Sequence, residues 1–159
     1  MRVGIGYDSH IFADGRPLIL GGITIPHEKG LSGHSDADAV CHAITDAMLG
    51  AAALGDIGTH FPPSDAKWKN ADSTELLRLA NVVLHEAGYR IVNIDVTVIC
   101  EMPKIGPHVP AMRERLAGVL GISPKQISVK GKTNEGMGWI GRGEGIATIA
   151  TVMIAAAGE

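Results

Sequence analysis

Chemistry enters this sequence early. The stretch GYDSH sets a carboxylate, Asp8, and an imidazole, His10, two residues apart where an apolar first strand should be ending. Strand side chains alternate between faces, so the two project together. Further along, GHSDADAVCHAITDAM crowds His34, Ser35, Asp36 and Asp38 into a loop and first helical turn, with His42 on the helix. Asp38, His42 and Asp46 recur every fourth residue and share one stripe of it. The helix macrodipole accounts for the two acids at its start, with Ser35 or Asp36 as the cap. His42 lies among apolar Val40, Cys41, Ala43 and Ile44 and admits two readings. It is either a hydrogen-bonded core histidine or the third member of an Asp/His/His set with Asp8 and His10. Three protein ligands and an open fourth position make a catalytic zinc site. Asp38 or Asp46 would then brace His42 from behind.

Three further segments carry polar groups in suggestive order. LGDIGTHFPPSD offers Asp56, His60, Ser64 and Asp65 directly after that helix, as a substrate grip or as plain surface loop. In GKTNEGMGWIGRGEG, Gly131–Lys132–Thr133 copies the end of a phosphate-binding P-loop, but Gln126 stands where its first glycine belongs. A nucleotide-hydrolysing P-loop is excluded. What remains is a strand end rich in amides and hydroxyls, where Glu135 could bind a hard cation such as Mg²⁺ beside phosphates and Arg142 follows. GIGYDS lacks the third glycine of a dinucleotide fingerprint. CEMPKIGPH is a turn before a helix, or a row of exposed amides beside Lys104 suited to a base or phosphate.

These groups must be held by regular elements. Residues 2–7, 18–25, 94–100, 127–133 and 146–154 read as strands, with Gly21–Gly22 marking a bulge or turn. Helices are expected over 36–54, over 72–88 behind a capping-box-like opening at Asp72, and from 107 or 109 to 120. Residues 56–69 read as loop. Interleaved strands and helices give an α/β (α+β layered) fold, a mixed β-sheet with helices packed on one face. Alternation is blurred in the last strand, which points to burial on both faces, for example by a partner subunit.

A chain of 159 residues is expected to form a single domain, 1–159, with a sizeable core. With 45% hydrophobic and 19% charged residues it has the composition of a folded domain. The net charge of −3, without any Lys/Arg run, argues against nucleic acid as partner. Two cysteines without a CxxC exclude a zinc ribbon or thioredoxin-like site and suit two reduced thiols. MRVGIGYDSH has no signal-peptide core, and the apolar run near the C-terminus is shorter than the ~20 residues that span a bilayer. A cytoplasmic protein with no membrane partner is expected.

Taken together, GYDSH, IPHEKGLSGHSDADAVCHAITDAMLGAAALGDIG, HFPPSD, the PK of EMPK and KTNE…GRGEGI resemble the 2-C-methyl-D-erythritol 2,4-cyclodiphosphate synthase family nearly end to end. The resemblance implies a phosphorus–oxygen lyase of the non-mevalonate isoprenoid pathway, a homotrimer built around its sheets with active sites between neighbours. Asp8, His10 and His42 match its zinc ligands, and Glu135 the residue that binds a second divalent ion, Mg²⁺ or Mn²⁺, with the diphosphate. His34 and Thr133 match positions that stabilise the transition state. Ser9 falls beside the metal ligands in the substrate site. Ser35, Asp56, Ile57 and Gly58, with Phe61, Pro62, Pro63, Ser64 and Asp65, match the pocket for the methylerythritol phosphate. Cys100, Glu101, Met102, Pro103, Lys104, Ile105 and Gly106, with Lys132, Thr133, Asn134 and Glu135, match the cytidine and phosphate cradle of the adjacent subunit. Arg142 and Glu144 match a charged ring near the trimer axis. Trp139, where Phe is common, would line a central cavity that in some relatives takes an isoprenoid diphosphate. The implied reaction cyclises 4-diphosphocytidyl-2-C-methyl-D-erythritol 2-phosphate and releases CMP. A zinc phosphohydrolase, or a trimeric isoprenoid-binding protein with structural zinc, would use the same residues differently.

Overall fold

The computed structural model describes residues 1–158. Strand β1 (Arg2–Ala13) opens the chain, followed by short strands β2 (Leu18–Leu20), β3 (Ile23–Ile25) and β4 (Gly30–Leu31). Helix α1 (Ala39–Ala51), the single turn α2 (Ile57–His60), helix α3 (Ser73–Glu86) and strand β5 (Tyr89–Ile99) come next. Helix α4 (Val109–Leu120), strand β6 (Ile127–Lys132), the short α5 (Gly138–Gly141) and strand β7 (Gly145–Ala156) complete the order. Five strands form one sheet in the order β4-β1-β7-β5-β6. β5 and β6 run parallel, whereas the β1–β4, β1–β7 and β5–β7 pairs are antiparallel. The layered mixed sheet is therefore as expected.

One face of the sheet is dry. Ile94, Val96 and Val98 of β5, Ile127 and Val129 of β6, and Ile146, Ala150, Val152 and Ile154 of β7 are buried beneath the helices. α1 lies over β1 and β7, and α3 and α4 cover the β5–β6 side. The opposite face carries Val3, Ile5, Tyr7 and Ile11 of β1 at 59%, 73%, 56% and 64% exposure, flanked by Ile149 of β7. Four large apolar side chains on one bare strand make a contiguous apolar patch of the kind that marks an interaction surface.

Helix α1 sits unusually low on β1, and glycine is the reason. A Cβ added to Gly6 would lie 2.0 Å from the Ala43 carbonyl oxygen, and one added to Gly4 2.0 Å from that of Ala47. Alanines 39, 43, 47 and 51 recur on the helix and are all buried, so backbone meets backbone along this seam. The helix start is fixed just as tightly. Asp38 is its cap and is wholly buried; its Oδ1 accepts from Val40 N and Cys41 N at 3.1 Å each. The same carboxylate accepts from Gly21 N at 2.9 Å and Gly22 N at 2.7 Å, which ties the β2–β3 hairpin to the helix.

Several elements differ from expectation. β1 runs on to Ala13, so Asp8 and His10 lie within a strand that continues by pairing with β7 as far as Ile11 and with β4 at Phe12 and Ala13. Residues 18–25 are a hairpin, because Gly21 and Gly22 take φ of 61° and 74° and reverse the chain. The helix begins at Ala39, so Asp38 caps it and Ser35 and Asp36 do not. Within 56–69, Asp56 caps α2 and Asp65 caps a 3₁₀ turn at Ala66–Trp68. At α3 the capping box is half made: Asp72 accepts from Thr74 N at 2.8 Å, while Glu75 pairs with Arg78.

Candidate functional site

Because Gly4 and Gly6 draw α1 onto β1, the next two residues on that face meet the helix as side chains rather than as bare backbone. Asp8 Oδ2 lies 2.8 Å from His10 Nε2 and 3.1 Å from His42 Nδ1, and the two ring nitrogens are 3.4 Å apart. All three residues are half-buried. A tetrahedral ion with ligands at about 2.0–2.1 Å would set them roughly 3.3 Å apart, so this triangle has the size of a metal face. Proton accounting points the same way. His10 Nδ1 lies 2.7 Å from the Ser32 carbonyl, an acceptor only, and must therefore donate to it. In the neutral ring, Nε2 then turns a lone pair toward the Asp8 carboxylate. Lone pairs facing one another need a cation between them, either a proton on the charged ring or a metal ion, and the three ligand atoms lie close enough together to hold a metal ion.

Electrostatics agree with a strongly coupled cluster. Burial pushes the Asp8 carboxyl up, but its contacts with His10 and His42 outweigh that and hold it below its ordinary value. Burial pulls His10 down, while Asp8 and the Ser32 carbonyl raise it on balance. The remaining nitrogen of His42, Nε2, lies 2.8 Å from Ser73 Oγ and 3.1 Å from Ser35 Oγ. The brace behind His42 is thus a pair of serines. Asp38 is spent on the helix cap, and Asp46 Oδ1 accepts from Ile57 N at 2.7 Å, tying α2 to α1. Ser73 and Arg16 carried no signal in sequence. Arg16 donates to the carbonyls of Gly33 at 2.9 Å and Ser35 at 2.5 Å and so shapes the loop below the metal cluster.

A second polar region lies where β5 and β6 end. Cys100, Glu101, Pro103, Lys104, Ile105 and Gly106 line a cleft of about 220 Å³ with Gly131, Lys132 and Thr133. Gly131 is needed for its closure, since a Cβ there would lie 2.8 Å from Ile105 Cβ. Glu101 holds the next turn, accepting from Asn134 N at 2.9 Å and Gly136 N at 3.2 Å. Thr133 Oγ1 donates to Glu135 Oε1 at 3.1 Å, and the Asn134 amide is committed to Met137 O at 2.8 Å. Burial pushes the Cys100 thiol up to about 11, with Glu101 adding to it, and raises Cys41 far above its ordinary value. Neither thiol is a nucleophile near neutral pH.

The remaining expected site residues are dispersed. His34 is exposed, its carbonyl accepting from Asn70 N at 2.9 Å. The Ser35 hydroxyl faces inward and is buried. Asp56 accepts from Thr59 N and Oγ1 at 2.8 Å each, and Phe61 stacks edge-on with Trp68, ring centres 5.1 Å apart. Gly58, Pro63 and Ser64 are exposed; Ile57, Pro62 and Asp65 are partly covered. Ser9 turns to the opposite face from Asp8, lining a cavity of about 270 Å³ with His10, Ile11, Trp139 and Glu144. Met102 lines a different cleft, with Phe12, His27 and Arg142. Arg142 Nε donates to Glu144 Oε1 at 2.8 Å, both exposed.

A mixed sheet covered on one face, with a convergent Asp–His–His cluster that could hold a metal ion on one strand and a polar cleft at the ends of two others, has the makings of an enzyme. Residues 1–155 match the model of the YgbB family, and the chain belongs to that family. It is 59% identical over 155 residues to the 2-C-methyl-D-erythritol 2,4-cyclodiphosphate synthase of Symbiobacterium thermophilum, covering 98% of this chain and 99% of the relative. The synthase of the same name from Gemmatimonas aurantiaca is 60% identical over 159 residues, covering 100% and 96%. Among solved structures, the bifunctional IspDF of Campylobacter jejuni superposes with a TM-score of 0.94 at 42% identity, over 98% of this chain and 42% of that longer one. A CDP-bound 2C-methyl-D-erythritol-2,4-cyclodiphosphate synthase gives 0.89 at 36% identity, over 97% and 100%. The CDP complex of Plasmodium falciparum IspF gives 0.85 at 36%, over 98% and 96%.

Proposed function

We infer that this enzyme, a cyclodiphosphate synthase of isoprenoid biosynthesis like its relatives, cyclises 4-diphosphocytidyl-2-C-methyl-D-erythritol 2-phosphate. An oxygen of the 2-phosphate attacks the β-phosphorus. The bond from that phosphorus to the bridging oxygen breaks, and CMP departs with the bridging oxygen and its electron pair. The product is 2-C-methyl-D-erythritol 2,4-cyclodiphosphate. No protein nucleophile is needed, in keeping with two thiols held protonated by burial.

Asp8, His10 and His42 would hold a zinc ion, and Glu135 a Mg²⁺ or Mn²⁺ ion beside the diphosphate. Such cations supply Lewis-acid stabilisation of phosphoryl charge and offset the repulsion between two phosphates. The chain's own work is positioning. In phosphoryl transfer, placement and charge stabilisation dominate, and a near-attack geometry supplies up to about 7–11 kcal/mol in favourable cases. His34 and Thr133 hydrogen-bond phosphate oxygens. Ser35 and the 56–65 segment, from Asp56, Ile57 and Gly58 through Phe61, Pro62, Pro63, Ser64 and Asp65, shape the methylerythritol pocket, while Ser9 opens onto the other face of the sheet. The cleft lined by Cys100, Glu101, Pro103, Lys104, Ile105, Gly106 and Lys132, with Asn134 at its edge and Met102 turned away, takes the cytidine and its phosphates. Its support is the cleft at the strand ends in a chain whose structural relatives bind CDP.

The active unit is a homotrimer with each site shared between neighbours. Two observations favour this. The bare apolar face of β1 calls for a cover. In addition, β1 and β6 lie three strand steps apart in the sheet, about 14 Å at the usual spacing. One chain's metal cluster and its own Thr133 therefore lie far apart for a single diphosphate, and a neighbour's strand end would close the gap. Trp139, Arg142 and Glu144 would line the trimer axis, where an isoprenoid diphosphate could sit. The chain acts as one catalytic domain in the cytoplasm, consistent with two free cysteines. No helix among the described residues is long and apolar enough to cross a membrane.

The observation that carries the reading is the Asp8–His10–His42 triangle. ³¹P NMR of the reaction tests it: a cyclic diphosphate with one CMP per turnover is expected, lost in a chelator and in His42→Ala. Linear phosphates would instead make the protein a hydrolase.

A further inference from the structure

On the metal reading, His42 would offer the ion the nitrogen that faces Asp8, so whatever meets its other nitrogen governs its orientation and proton. That partner is Ser73, the first residue of α3, 31 residues away in sequence. Ser73 is wholly buried, and its hydroxyl makes a very short contact with Asp36 Oδ1. Asp36 in turn accepts from Ser73 N at 3.0 Å through Oδ2 and from Asp38 N at 3.1 Å through Oδ1. A carboxylate clamped by three donors is an acceptor only, so the one Ser73 hydroxyl proton goes to Asp36. Ser73 Oγ can then only accept from His42. Ser35 Oγ accepts from Ala37 N at 3.2 Å and lies 3.4 Å from Ser73 Oγ, which can take its proton, so Ser35 too can turn a lone pair to His42 Nε2.

We propose that Asp36 and Ser73 are positioning residues that fix the proton of His42 on Nε2 and leave its Nδ1 lone pair free for the metal ion. The arrangement is a carboxylate–serine–histidine support, with the serine interposed where a carboxylate commonly meets a metal-bound imidazole directly. It couples the metal cluster to the start of α3, an element with no ligand of its own. The inference rests on the metal reading above.

Zinc affinity, measured by competition with a chromogenic chelator, tests it together with ¹⁵N shifts of the His42 ring in the metal-free protein. Ser73→Ala is expected to bind zinc about 10–100-fold more weakly, the usual cost of losing such a support. Its two ring nitrogens should drift toward tautomer-averaged shifts. Ser73→Thr, which keeps the hydroxyl, should recover most of the affinity, and Asp36→Asn, which keeps the shape, should lose it. If Ser73→Ala does not fold, Asp36→Asn and Ser73→Thr carry the comparison. Variants that melt earlier yet bind zinc within twofold of wild type, with unchanged shifts, would reduce the pair to a structural role and overturn the proposal. A wild-type protein that binds no zinc would overturn the metal reading and this inference with it.

Discussion

Gly6→Ala is the perturbation that joins fold to chemistry most tightly. Its new Cβ would start 2.0 Å from the Ala43 carbonyl oxygen and 2.8 Å from Ala47 N, both backbone atoms of α1. Neither is the tip of a flexible side chain, so the helix must move. Restoring an ordinary contact of about 3.2 Å takes a shift of roughly 1 Å, and small-to-large strain of this kind costs about 1–3 kcal/mol. For a chain of this size that lowers the melting temperature by roughly 2–12 °C. The functional loss should be larger than the loss of stability. His42 rides on α1 next to Ala43 and lies 3.1 Å from Asp8. Metal ligands tolerate displacements of only about 0.2 Å, so a ~1 Å shift should cost more than the roughly 10–100-fold of a lost outer support. Gly4→Ala is the control: its Cβ meets Ala47 O and Ala51 N, farther along the helix. It should destabilise similarly and weaken zinc binding less. Thermal melts of the metal-free proteins and chelator competition read both quantities. A Gly6→Ala protein that matches wild type in melting and zinc affinity would refute the seam argument.

Gly131→Ala should push Ile105 outward and weaken CDP binding by calorimetry while leaving zinc affinity unchanged, because it touches only the strand-end cleft. Asp38→Ala removes a helix cap and strands the amides of Gly21 and Gly22. A loss of about 3–5 kcal/mol in denaturant unfolding is expected, and a loss below 1 kcal/mol would mean the buried carboxylate is not the junction described. Ile5→Lys sets a charge on the bare sheet face. In analytical ultracentrifugation it should shift the protein from three times the chain mass to one, with turnover lost; an unchanged mass would remove that face from the interface.

How much of this could be seen in the sequence depends on the range of the interaction. Four strands of the large sheet, α1, and the shared face of Asp8 and His10 follow from local period, whereas the two-residue β4 is too short to leave a period and residues 18–25 pair with each other outside that sheet. Gly21–Gly22 was ambiguous between bulge and turn because the partner of β2 could not be known. The sequence alone does not single out the helix cap, because three capping residues, Ser35, Asp36 and Asp38, stand in four positions. The tertiary hydrogen bonds from the hairpin select Asp38. Ser73 left no trace, since nothing in a helix start records a histidine 31 residues upstream. Family resemblance points to Asp8, His10 and His42, but the hydrogen bonds from His10 to Ser32 and from His42 through Ser73 to Asp36, which would turn their lone pairs together, are tertiary and leave no local pattern. Ser9 and Met102 show the reverse case: adjacent in sequence to site residues, they face elsewhere.

Zinc K-edge X-ray absorption on the loaded protein tests the central claim most directly. Two imidazole nitrogens and one carboxylate oxygen near 2.0–2.1 Å are expected, with one further light atom that exchanges when a phosphate ligand is added. A fourth protein ligand, or a first shell insensitive to phosphate, would contradict the account.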